Sequence, residues 1–179
     1  MKNRTKNLVY AAGCLAIGII LALLFHLFGG GFGSILLPMH IPVLLCGFLC
    51  GPLFGAACGI LLPLLSSLMI GMPPIFPVAT AMMFELCTYG LLSGLLYKKT
   101  NVYISLIAAM LGGRIIGGAA NALFFGMAGK TYGFAAFVTS SFVTALPGIF
   151  IQLGLIPLLV IALTRARLIN DSKGQNQKQ

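Results

Sequence analysis

The run from Leu8 to Phe28, LVYAAGCLAIGIILALLFHLF, decides the fold. It carries no Asp, Glu, Lys or Arg, and at about 1.5 Å per residue it is about 31 Å long, the thickness of a bilayer's hydrocarbon core. Lys2, Arg4 and Lys6 precede it, as basic residues precede the core of a signal peptide. The run is longer than the roughly 7–15 residues of such a core, and its small residues Gly13, Cys14 and Ala16 come too early for a cleavage site. It therefore reads as a retained first membrane helix.

Outward from this run the same pattern repeats. Apolar segments follow from about Ile41 to Cys50, Phe54 to Ile70, Val78 to Tyr97, Val102 to Phe125 and Phe134 to Thr164. They are cut at Gly29–Gly33, at Gly51-Pro52 and at the proline cluster Met72-Pro73-Pro74-Ile75-Phe76-Pro77, where turn chemistry is strongest. The second segment is short for a full crossing, so it is tilted, partly buried, or begins nearer Leu36. The sixth is long for one, and Pro147 and Pro157 predict a tilt or kink. The whole chain of 179 residues is 59% apolar and 7% charged, against about 25% charged in a soluble domain. The expectation is an all-α integral membrane protein, a bundle of six transmembrane helices over residues 8–167, with short tails at 1–7 and 168–179.

Charge orients the bundle. Lys2, Arg4, Lys6, Lys98, Lys99, Arg165, Arg167, Lys173 and Lys178 fall on one side of a six-span plan and Lys130 alone on the other. Positive residues favour the cytoplasmic side, so both ends are expected inside. The net charge of +9 is thus a topology signal, spread between apolar runs, and not a nucleic-acid stripe. Cys14, Cys46, Cys50, Cys58 and Cys87 all lie in apolar segments and read as small packing residues, with no disulfide framework and no metal site. Small residues four apart, at Ala12/Ala16, Gly55/Gly59, Gly90/Gly94 and Gly113/Gly117, suit close helix approach in lipid.

Within the spans, Glu85 and Arg114 are the residues that lipid would not tolerate, each costing about 2.5–3.5 kcal/mol at mid-helix. Glu85 lies about 10 Å in from the outer start of the fourth segment. Arg114 lies about 18 Å up from the inner start of the fifth, which leaves roughly 12 Å to the outer face. At nearly one depth on consecutive antiparallel helices, they can pair. Such a pair either ties two helices together or lines a pocket open to the outside. Polar residues gather at the same outer depth: Ser66, Ser67, Asn121, Ser140, Ser141 and Thr144, with Tyr89 a turn below Glu85. Gln152 lies deeper and suits a pocket floor or a helix-to-helix hydrogen bond equally. The candidate substrate contacts are these residues together with His40. Arg114 suits a carboxylate or phosphate, and if Glu85 neutralises it, a neutral or zwitterionic ligand fits as well.

Signatures of catalysis fail. His26 and His40 have no acid in register for a metal site or a triad, and Glu85 and Asp171 are the only acids. Gly129-Lys130-Thr131 has Phe124 where a phosphate loop needs glycine. Neither an enzyme nor a cofactor is expected.

Taken in order, Pro38-Met39-His40-Ile41-Pro42, Gly47, Gly51-Pro52, Gly71-Met72-Pro73-Pro74, Phe84-Glu85-Leu86, Gly94-Leu95-Leu96-Tyr97, Gly113-Arg114 and Pro147-Gly148-Ile149-Phe150-Ile151-Gln152 resemble one family. It is the substrate-binding (S) component of energy-coupling factor transporters, and the likeness covers about Leu8 to Arg167. The resemblance implies a multi-pass protein of the bacterial cell membrane that captures a vitamin or related micronutrient from outside. It implies partners that supply the energy: a membrane coupling subunit and two cytoplasmic ATPases. It implies that Ala12 and Ala16, matching an Ala-x-x-x-Ala pattern, contact the coupling subunit. Loops at about Gly29–Met39 and Gly71–Pro77 would cover the pocket, and the subunit would topple to release its cargo. The competing readings are a ligand-free scaffold or signalling subunit and a small independent transporter. The second would need a polar path through inner helix halves that are nearly all apolar.

Overall fold

A computed structural model describes residues 2–27 and 35–165. Among these residues the chain is helical, without strands. The helices are α1 (Lys2–Leu27), α2 (His40–Cys50), α3 (Pro52–Ile70), α4 (Thr80–Tyr97), α5 (Val102–Met127), the short α6 (Phe134–Val138) and α7 (Leu146–Arg165). Wide turns at Ile75–Ala79 and Thr139–Val143 lead into α4 and out of α6. Among the described residues, five helical stretches are long and apolar enough to cross a membrane: Arg4–Leu27, Pro52–Ile70, Ile75–Tyr97, Val102–Met127 and Leu146–Arg165. Two apolar pieces are shorter, His40–Cys50 and Phe134–Val143. The protein is an all-helical, multi-pass membrane protein.

The segment from Phe134 to Thr164, expected to tilt or kink at its prolines, is broken ahead of Pro147 into a short and a long helix. Pro147 has no N–H to bond to the carbonyl of Val143, and its ring crowds that turn. The backbone widens ahead of it, with the Thr144 N–H bonding to the Thr139 carbonyl at 2.8 Å. Pro157, by contrast, stays inside α7.

Helix α4 is central, packed against α3 and α5 along its length and against α2. Glycines set these crossings. A Cβ on Gly90 would strike the backbone carbonyl of Gly55, so α3 and α4 touch backbone to backbone. On the other side of α4, the Tyr89 ring and the Glu85 carboxylate sit in notches at Gly113 and Gly117 of α5. In lipid, such fit supplies the attraction that water exclusion cannot.

Helix α2 is the most enclosed element, with Val43, Leu44 and Cys46 fully buried. Cys14, Cys46, Cys50 and Cys58 are buried where α1, α2 and α3 meet, as free thiols. The last turn of α2 is closed by the Asn7 side chain of α1, whose Nδ2 donates to the Cys50 carbonyl at 3.2 Å. Gly51, at φ 92°, then reverses the chain into Pro52. From that end α2 extends 11 residues, about 16 Å, roughly half a hydrocarbon core. The bundle is therefore filled by α2 at the end bearing Lys98 and Lys99 and left open beyond His40.

Candidate functional site

The space beyond His40 is a cavity of about 450 Å³. Its walls come from Ala22, Phe25 and His26 of α1, from Leu37–His40, and from Ile70 with Met72, Pro73 and Pro74. Val78, Met82 and Glu85 contribute from α4 and the turn before it, Arg114, Asn121 and Phe125 from α5, and Tyr132, Ser140 and Ser141 from the segment around α6. Its volume falls in the range that holds one small organic molecule.

The floor carries the charge. Glu85 Oε1 lies 3.6 Å from Arg114 Nη1 and 3.5 Å from His40 Nε2. All three residues are buried, at 8%, 6% and 3% exposure for Glu85, Arg114 and His40. Both distances exceed the 2.7–2.9 Å or so of a formed charge-assisted bond, so one oxygen stands between two donors and satisfies neither fully. Arg114 Nε and Nη2, both His40 ring nitrogens, Glu85 Oε1 and the Tyr89 hydroxyl have no formed hydrogen bond among the described residues. Tyr89 stands behind the cluster, its ring edge-on to His40 at 5.0 Å between centroids. Leaving several buried polar atoms unpaired costs about 1–3 kcal/mol each, which is tolerable when a ligand completes them.

The structure sorts the other candidate residues. Glu85, Arg114, His40, Asn121, Ser140 and Ser141 border the cavity. Asn121 Nδ2 bonds to the Gly117 carbonyl at 2.9 Å, which leaves its side-chain oxygen for other partners. Ser66 and Ser67 act on the wall behind it: their hydroxyls donate to the carbonyls of Met72 at 2.7 Å and Pro73 at 2.6 Å. These bonds hold the Met72–Pro74 segment over the cavity from the end of α3, where Gly71 turns the chain at φ 77°. Thr144 lies in the turn before α7, its N–H engaged by Thr139. Gln152 is fully buried on α7, and its amide atoms have no partner among the described residues. Ala12 and Ala16 lie on the exposed face of α1, opposite buried Ala11 and Cys14. Of the covering loops, Gly29–Gly33 lies outside the described residues.

His40 and Glu85 were both expected at the site, but not as partners, since nothing in the spacing of the chain puts an acid in register with His40. Phe25, His26, Met82, Phe125 and Tyr132 were missed. As apolar, aromatic or isolated residues in membrane segments, they carry no signal that separates cavity wall from lipid contact.

No curated protein and no solved structure matches the chain. Residues 6–160 match the family model described as "ECF transporter, substrate-specific component". That span takes in every wall of the cavity and both halves of its charged floor. With a half-length α2 opening a ligand-sized space in a bundle of apolar helices, the fold and the family agree, and the chain belongs to the substrate-specific components of ECF transporters.

Proposed function

We propose that this chain is a high-affinity capture subunit for a vitamin or related micronutrient at the bacterial cell membrane. In this reading both chain ends are cytoplasmic and the chain crosses six times, with α2 and its lead-in as the second crossing and α6 with α7 as the sixth. The cavity then opens outward, since Arg4, Lys6, Lys98, Lys99 and Arg165 occupy the opposite end. Delivery depends on two ATPases and on a membrane coupling subunit, which docks through the Ala12/Ala16 face.

The observation that carries this reading is the cavity of about 450 Å³ with a buried, incompletely bonded Glu85–Arg114–His40 floor. A scaffold gains nothing from a void of that size, since a helix packed into it would bury apolar surface and satisfy the donors. The test is mass spectrometry of small molecules that survive purification in detergent, followed by calorimetric titration. Calorimetry suits a chain without tryptophan. A stoichiometric, vitamin-sized compound is the expected result. A folded protein that carries nothing and binds nothing from a vitamin panel would favour the scaffold.

A further inference from the structure

Within that capture reading, on which this rests, we infer that the ligand is a carboxylate: a small monoanionic acid with an apolar or aromatic body, seated acid-first on Arg114. Three observations converge.

The first is the count of donors and acceptors on the floor. Arg114 presents Nε–H and Nη2–H, His40 presents a ring N–H and Tyr89 a hydroxyl, against one carboxylate from Glu85. The unpartnered atoms there are Arg114 Nε and Nη2, both His40 ring nitrogens and Glu85 Oε1, with the Tyr89 hydroxyl behind them, and the N–H hydrogens of Arg114 outnumber the acceptor positions that face them. What the floor lacks is acceptors.

The second is which atoms are spare. Glu85 approaches Arg114 through Nη1. Nε–H and Nη2–H share the opposite edge of the guanidinium, and two parallel donors are the fork that a carboxylate accepts in bidentate fashion. Glu85 also steadies the guanidinium from its far side, since the notch at Gly117 brings its carboxylate against α5. A phosphate dianion is disfavoured, because with Glu85 it would set three negative charges against one guanidinium, where a monoanion sets two.

The third is the wall above. Phe25, Met82 and Phe125, with Pro73 and Pro74, offer apolar contact, and the polar groups there (His26, Asn121, Tyr132, Ser140, Ser141) are uncharged donors and acceptors or a lone imidazole. Among the described residues, no second cation of the Arg or Lys type borders the cavity to receive another anionic group.

The test uses matched acids and neutral analogues, so it does not depend on a mutant that folds. Full-length protein in lipid nanodiscs is titrated calorimetrically with nicotinate and nicotinamide, pantothenate and pantothenol, biotin and biotinamide, and lipoate and lipoamide. Any ligand extracted from the purified protein is also tested for a free carboxyl by carbodiimide coupling to an amine and mass shift. The expected result is an acid that binds, or an extracted acid, with its amide weaker by about 100-fold or more, as two charge-assisted bonds lost would give. Arg114→Gln should abolish that preference, and Arg114→Lys, which keeps the charge without the fork, should restore part of it. A neutral or cationic ligand bound at one per chain, or an amide binding as well as its acid, overturns the carboxylate assignment and leaves capture standing. A folded chain with no extracted ligand and no binding to any of the eight compounds overturns both.

Discussion

Three residues from three helices meet at one carboxylate oxygen, and the consequences can be measured singly. Glu85→Gln keeps the shape of the side chain and removes its charge, leaving Arg114 buried without a counter-ion. Breaking such a pair from one side costs about 3 kcal/mol or more. The variant should therefore unfold at a clearly lower temperature, read with a thiol-reactive dye because Cys14, Cys46, Cys50 and Cys58 become labelled only on opening. An unchanged transition would mean that the 3.6 Å contact contributes little. Gly117 belongs to the same unit. A methyl there would fall 2.7 Å from Glu85 Oε2, so Gly117→Ala displaces the carboxylate and should weaken ligand binding more than it weakens the fold.

At the level of elements, the crossings of α4 depend on backbone approach, and the two faces of the prediction are opposite glycines. Gly90→Ala places a methyl on the Gly55 carbonyl, and neither backbone can yield without separating α3 from α4. Loss of folded, monodisperse protein in gel filtration is expected. Gly126, near the end of α5, has nothing within 4 Å of its Cβ position, so Gly126→Ala should be tolerated and gain up to about 1 kcal/mol of helix propensity. Equal yields of the two variants would contradict the packing. The pair Ser66→Ala and Ser67→Ala tests the other element that matters, the Met72–Pro74 wall. Removing two hydroxyl bonds of about 1 kcal/mol each should speed ligand release in a wash-out assay while the helices stay assembled.

For the molecule as a whole, the exposed small-residue face of α1 is separate from the cavity. Ala12→Leu with Ala16→Leu is expected to abolish co-purification with a coupling subunit and its ATPases, while calorimetric affinity for the ligand stays the same. Both residues are exposed and the opposite face of α1 carries its packing, so the fold should not suffer. Retained assembly would move the docking surface elsewhere. The charge distribution makes a second claim at this scale: a cysteine placed at Thr100 should be labelled by an impermeant thiol reagent only from the cytoplasmic side, and one at Thr131 only from outside.

Composition, span length and the spread of Lys and Arg are one-dimensional properties, so membrane insertion and the helical class were decided by the sequence itself. So was the shared depth of Glu85 and Arg114, which allows them to pair, because two antiparallel helices of known rise place their residues at computable depths. The cavity was another matter. It exists because α2 begins only at His40 and because notches at Gly113 and Gly117 draw Tyr89 and Glu85 against α5; the short segment from about Ile41 to Cys50 was readable, but not that its shortfall leaves a void, nor the depth of a groove. His40 joined the charged floor for the same reason. It is 45 positions from Glu85 in the chain, and only the packing of α2 against α4 brings its imidazole within 3.5 Å of the carboxylate. The serines of α3 tell the converse story: their depth was readable, but whether a hydroxyl faces a ligand or closes on a carbonyl of the next loop depends on a turn at Gly71 that tertiary structure alone resolves.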